Sequence, residues 1–131
     1  MNTFSWNDIL GWNQEQLEDM RLLGFAYVRQ GKYSIALSIF EALSFLITDN
    51  TYELQTLGGL YLELGNPMKA LDIIEQALEK EPYDEMTLLN RTKALLALGF
   101  KRQAIAQAKG LEKAENPQIA LQAKALVSAY T

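Results

Sequence analysis

A 34-residue period runs through this chain and constrains its fold more than any other feature. Gly31, Gly65 and Gly99 stand 34 residues apart, as do Ala36, Ala70 and Ala104. A short turn and a new helical pattern follow each glycine. Phe40 lies four residues after Ala36 on one helical face; Ile74 and Ala108 take that place in the next two units. A helix stop, a turn and a helix start at a fixed interval describe stacked helical hairpins.

Capping signals divide the chain further. Asn13 with Gln16 three residues on forms a capping box, so the first helix runs from Gln14 to about Gln30, with Leu17, Met20, Leu23, Gly24 and Tyr27 inward. The second covers Tyr33 to Ile47, with Ala36, Leu37, Phe40 and Leu43 inward. Asp49 or Asn50 caps the third, Thr51 to Leu64, which packs through Leu54, Leu57, Gly58 and Tyr61. Asn66 with Pro67 at the first helical position opens the fourth, which stops at Glu81-Pro82. Asp84 caps the fifth, Glu85 to Leu98. The sixth spans Lys101 to about Lys113, and Asn116-Pro117 opens a seventh to Tyr130. No stretch alternates apolar and polar residues long enough to predict a strand.

Two mid-helix glycines, Gly24 and Gly58, recur at the repeat spacing although each costs about 1 kcal/mol relative to alanine. They predict close helix–helix contact, with Ala36, Ala70 and Ala104 as the small residues opposite. Residues Met1 to Asn13 lie outside the period and carry Trp6 and Trp12, with Phe4, Ile9 and Leu10 between them. Ser5 is placed to cap a short helix ending at Gly11. These aromatics either fold back over the first repeat as a cap or act as a dimer contact or mobile arm.

The pattern resembles the tetratricopeptide repeat. Its small and aromatic positions fall on Leu23, Gly24, Tyr27, Ala36 and Phe40, then on Leu57, Gly58, Tyr61, Ala70, Ala77 and Pro82. The third unit keeps Leu95, Gly99, Ala104 and Leu111 but has Arg91 and Thr92 where the family prefers Leu and Gly, so looser packing is expected there. The resemblance implies an all-α helical-hairpin solenoid in a single domain over 1–131. Its parts are an N-terminal extension (1–16), three repeats (17–50, 51–84, 85–118) and a capping helix (119–131). A narrower likeness rests on Gln30-Gly31-Lys32-Tyr33 and Ile39-Phe40-Glu41-Ala42-Leu43. Together with three repeats, an N-terminal extension and acidic character, it is similar to the tetratricopeptide chaperones of bacterial type III secretion, of either the translocator or the needle-subunit branch. That resemblance implies a cytoplasmic factor that holds a hydrophobic, aggregation-prone secretion substrate before export.

In this fold the first helix of each pair lines a concave surface. Helical spacing then names Glu18, Arg21, Phe25, Val28 and Arg29, followed by Tyr52, Gln55, Gly59, Leu62 and Glu63, and finally Met86, Leu89, Lys93, Leu96 and Ala97. Its centre is apolar: Phe25, Val28, Tyr52, Leu62, Met86, Leu89 and Leu96. Such a strip marks a groove for a hydrophobic or amphipathic segment of a client, with Met86 supplying adaptability and Gly59 a hole in the floor. Two other occupants fit the strip: the chain's own N-terminal segment or seventh helix, or a second copy in a homodimer. Peptide-carboxylate clamps of this family use Lys, Asn and Arg here. Phe25, Tyr52, Gln55 and Gly59 at the corresponding positions, with only Arg21, Arg29 and Lys93 basic, argue against one.

Composition excludes several classes. Net charge is −4, against a nucleic-acid partner and an anionic membrane surface. No apolar run reaches the roughly 20 residues of a membrane span. The chain has no Cys and no His, which removes disulfides, thiolate chemistry and the commonest general base and metal ligand. The N-terminus lacks the basic and apolar regions of a signal peptide, so a cytoplasmic location is expected. Gly58-Gly59 sits inside a helix and cradles no phosphate. Glu79, Glu81, Asp84 and Glu85 lack the spacing of a calcium loop and read as a solvated turn favouring the next helix. Arg91, at a normally buried position, needs an acidic partner or a path to water. No enzyme, metal or cofactor is expected. The alternative to a chaperone is a scaffold that joins folded proteins through its convex or end surfaces.

Overall fold

The computed structural model describes residues 11–131. Among these residues the chain forms seven α-helices and no strand. They are α1 (Gln14–Arg29), α2 (Tyr33–Leu46), α3 (Thr51–Glu63), α4 (Pro67–Lys80), α5 (Glu85–Ala97), α6 (Lys101–Leu111) and α7 (Pro117–Tyr130). Each packs on the next in chain order, and α5 also touches α3 and α7. The architecture is an all-α solenoid of helical hairpins.

The helix starts follow local chemistry. Asn13 Oδ1 accepts the Gln16 N–H at 2.8 Å, and Gln16 Oε1 accepts the Asn13 N–H at 2.9 Å. Asn66 accepts from the Lys69 N–H, Asp84 from the Thr87 N–H, and Asn116 from the N–H groups of Gln118 and Ile119. At α3 the cap residue is Asn50, but its side chain makes no capping bond. Its Nδ2 donates to the Ser44 carbonyl and its Oδ1 accepts from Lys80 Nζ, so it ties the loop to α2 and α4 instead.

The periodic glycines end α1, α3 and α5. Gly31, Gly65 and Gly99 have φ of 73°, 78° and 89°. After each, the N–H of Lys32, Asn66 or Phe100 bonds back to the carbonyl of Tyr27, Tyr61 or Leu95 at 2.8–2.9 Å. This closure satisfies carbonyls that the helix end leaves open, and it requires the left-handed residue.

Inside the hairpins the sequence expectation needs correction. The mid-helix glycines face large residues, not the alanines. A Cβ on Gly24 would lie 2.7 Å from Phe40 Cε2, and one on Gly58 would lie 2.6 Å from Ile74 Cγ1. Ala36, Ala70 and Ala104 are fully buried one turn earlier on the partner helices. Leu23 is 45% exposed rather than inward, since no hairpin precedes α1 among the described residues. One core cluster joins Leu17, Phe40, Leu43, Leu57 and Leu60. A second joins Leu89, Leu111, Ile119 and Ala123. Glu85 anchors the last helix: its two oxygens accept the N–H groups of Glu115 and Asn116 at 2.7 and 3.1 Å.

Candidate functional site

Helices α1, α3 and α5 present one face of the solenoid, and their spacing sets its shape. Cα atoms of α3 and α5 approach within 8 Å, whereas those of α1 and α3 do not. At the first approach a Cβ on Gly59 would meet Asn90 Nδ2 at 3.4 Å, an ordinary van der Waals distance. Large side chains bridge the wider gap. The Phe25 ring stands edge-on to Phe40 at 5.7 Å between centroids and lies 5.5 Å from Tyr52.

Beside these rings sits an ion pair that periodicity did not reveal. Glu53 is fully buried on α3. Its Oε2 accepts from Arg21 Nε and Nη2, both at 2.8 Å. Arg21 Nη1 donates to Glu18 at 3.0 Å, and its guanidinium lies 5.4 Å from the Tyr52 ring centroid. The second Glu53 oxygen is buried with no partner. Arg21 is therefore committed to holding α1 against α3 rather than free for a ligand carboxylate. A buried ion pair tolerates the loss of one partner poorly. Burial pushes the Tyr52 phenol above its ordinary pKa, against the lowering effects of its bond with Thr56 and of Arg21.

The predicted groove residues fall into three groups. Val28, Gly59, Leu62, Met86 and Lys93 line one hollow of about 310 Å³, joined by Tyr33 and Asn90, which spacing had not singled out. Arg21, Tyr52 and Gln55 line a neighbouring hollow whose rim carries Asp49, Glu81 and Asp84. Leu89 belongs to neither. It is fully buried against Leu111, Ile119 and Ala123, because α7 lies where the first helix of a fourth hairpin would lie and covers that side of α5. Leu96 is half-buried. Arg29 and Ala97 are exposed, and Glu63 lines the Met86 hollow. Trp12 is half-buried against the first core cluster; Trp6 lies outside the described residues.

Two features sit away from this face. Arg91 Nε meets Glu75 Oε1 at 2.6 Å and its Nη1 donates to Gln107, which supplies the acidic partner its position demands. Tyr61 Oη donates to the Glu41 carboxylate, and that bond pushes the phenol up to about 12. Beside it Phe45 is 71% exposed. No group of three or more acidic residues among the described residues is arranged to hold a metal ion, and no described helix is long and apolar enough to cross a membrane.

The hairpin stack with an open face of first helices is the tetratricopeptide-type fold. No family model matches the chain, and no curated protein matches it. Solved structures do. PcrH from Pseudomonas aeruginosa is 24% identical over 90% of this chain and 93% of its own, with a TM-score of 0.78. SycD from Yersinia enterocolitica, a type III secretion chaperone solved with a peptide of the translocator YopD, is 19% identical over 90% and 94%, with a TM-score of 0.80. An alternative dimer of SycD also matches, 20% identical over 90% and 93%, with a TM-score of 0.81. The tetratricopeptide domain of P58(IPK) matches at 18% identity over 88% of this chain and 34% of its own, with a TM-score of 0.73. These likenesses show the fold.

Proposed function

We propose that this chain is a type III secretion chaperone, cytoplasmic and without catalytic activity or cofactor. It holds a hydrophobic, aggregation-prone secretion substrate on its concave face before export. The supporting observation is the hollow of Val28, Gly59, Leu62 and Met86 on a fold shared with PcrH and SycD. Met86 is 48% exposed there, an apolar side chain offered to a partner. Two or three client anchors of about 1.5–3 kcal/mol each would support micromolar binding once association costs are met. SycD carries a translocator peptide, which favours a translocator over a needle subunit as client. The dimer known for SycD makes a homodimer the second partner to examine.

The test compares wild type with Leu62→Glu. Both are used to recover partners from the native cell lysate, with identification by mass spectrometry and helicity followed by circular dichroism. Wild type is expected to retain a translocator or needle protein that the helical variant loses. Equal retention by the variant would move the site off this face. The scaffold alternative draws on the exposed Phe45 of the convex side; under it Phe45→Glu, not Leu62→Glu, releases the partner.

A further inference from the structure

The charge of this chain is unevenly placed. Residues 1–98 carry seven Lys and Arg against fourteen Asp and Glu, whereas residues 99–131 carry five against two. The excess of cations gathers at one place. A hollow of about 700 Å³ opens between α6 and the last turn of α7, with Ile105, Ala106 and Tyr130 on its walls and Lys101, Arg102 and Lys109 around it. Tyr130 is 44% exposed there. None of the three cations forms an ion pair among the described residues.

Local structure accounts for Lys109, which stands in the last turn of α6 where positive charge is favoured, but not for Lys101 and Arg102. Lys101 and Arg102 open α6, where the helix dipole disfavours positive charge, and Phe100 before them supplies no side-chain cap. The repeat does not call for them either. One period earlier, Lys101, Arg102 and Lys109 correspond to Pro67, Met68 and Glu75; two periods earlier, to Tyr33, Ser34 and Glu41. The third hairpin thus replaces neutral and acidic residues with basic ones, and it does so around an apolar hollow. Lys101 and Arg102, set against their own helix, point to a role outside the chain.

We propose that this hollow is a second docking site, for an acidic protein segment. The segment places an apolar side chain against Ile105, Ala106 and Tyr130 and its carboxylates against Lys101, Arg102 and Lys109. Charge complementarity selects the partner, and the concavity suits an inserted side chain rather than a flat surface. The site shares no lining residue with the Met86 hollow, so it stands or falls apart from the client reading.

The test uses the full chain, isotopically labelled, and a short synthetic amphipathic peptide of Leu and Glu, alongside the same peptide with Gln in place of Glu. The acidic peptide is expected to shift the amide signals of Ile105, Ala106 and Tyr130 and to bind about tenfold more tightly than its Gln counterpart at low salt. Reversing all three charges (Lys101→Glu, Arg102→Glu, Lys109→Glu) should remove about that factor, and Ala106→Trp should block the hollow without changing charge. Met86→Glu should leave this binding intact. Equal binding of the Gln peptide, shifts confined to the concave face, or binding unaltered by both charge reversal and Ala106→Trp would overturn the proposal. So would a dimer of the free protein that charge reversal dissociates, which would assign the hollow to a second copy. Pelleting with phosphatidylglycerol vesicles in place of peptide binding would overturn it too.

Discussion

In the second hairpin Gly58 on α3 faces Ile74 on α4, so closely that a Cβ would lie 2.6 Å from Ile74 Cγ1. In the third, the same register holds Thr92 on α5 and Ala108 on α6, both fully buried. The larger residue has changed sides. Thr92 adds a hydroxyl to the buried side, and its Oγ1 donates to the Leu88 carbonyl at 3.1 Å, so no polar group is orphaned. At this position the third hairpin is filled by Thr92 and Ala108, with the Thr92 hydroxyl bonded within its own helix. What recurs across the interface is a small residue facing a larger one, whichever helix carries each, as close packing demands.

The largest effect that would break this comparison is at Gly58. Gly58→Leu drives a whole side chain into Ile74 and should destabilise the protein by about 3 kcal/mol or more. An unchanged urea midpoint would remove the contact from the energetics. A sharper version transplants the third hairpin's solution into the second. Gly58→Thr alone should cost about 1–3 kcal/mol. Adding Ile74→Ala should recover part of that, with a coupling of about 1 kcal/mol in a double-mutant cycle. Strict additivity would mean that volume is not exchanged across the pair.

Gly110 supplies the control. It lies in α6 with nothing within 4 Å of an added Cβ, so Gly110→Ala should stabilise by up to about 1 kcal/mol. The same glycine-to-alanine change at Gly58 should have the opposite sign. The smallest effect separates the hairpins by pH. Position Tyr61 in the second corresponds to Leu95 in the third. Because the bond to Glu41 raises the folded phenol from 10 to about 12, the unfolded chain loses that proton first. The contribution is complete below about pH 10 and fades as pH climbs toward 12. Chemical denaturation across that range should show a shallower loss of stability for Tyr61→Phe than for wild type.

These contrasts explain which parts of the molecule were readable beforehand. Helix starts at Asn13, Asn66, Asp84 and Asn116, and the stops at Gly31, Gly65 and Gly99, depend on bonds within a few residues of chain. They are visible in one dimension. The groove was legible in part: spacing identified the side of α1, α3 and α5 that carries Val28, Gly59, Leu62 and Met86. It could not say that Arg21 is held by Glu53, a residue 32 positions away, or that Leu89 is sealed by α7. The three cations near Tyr130 were each visible, but only folding brings α6 and the end of α7 around one hollow.

The amino-acid order set the class, the period and the helix termini of this protein, because caps, turns and apolar stripes act over one or two helical turns. Which apolar residues stay open to a partner was settled by packing between helices distant in sequence. A stripe on a helix states that a side chain avoids water; only the neighbouring helix decides whether it has already done so.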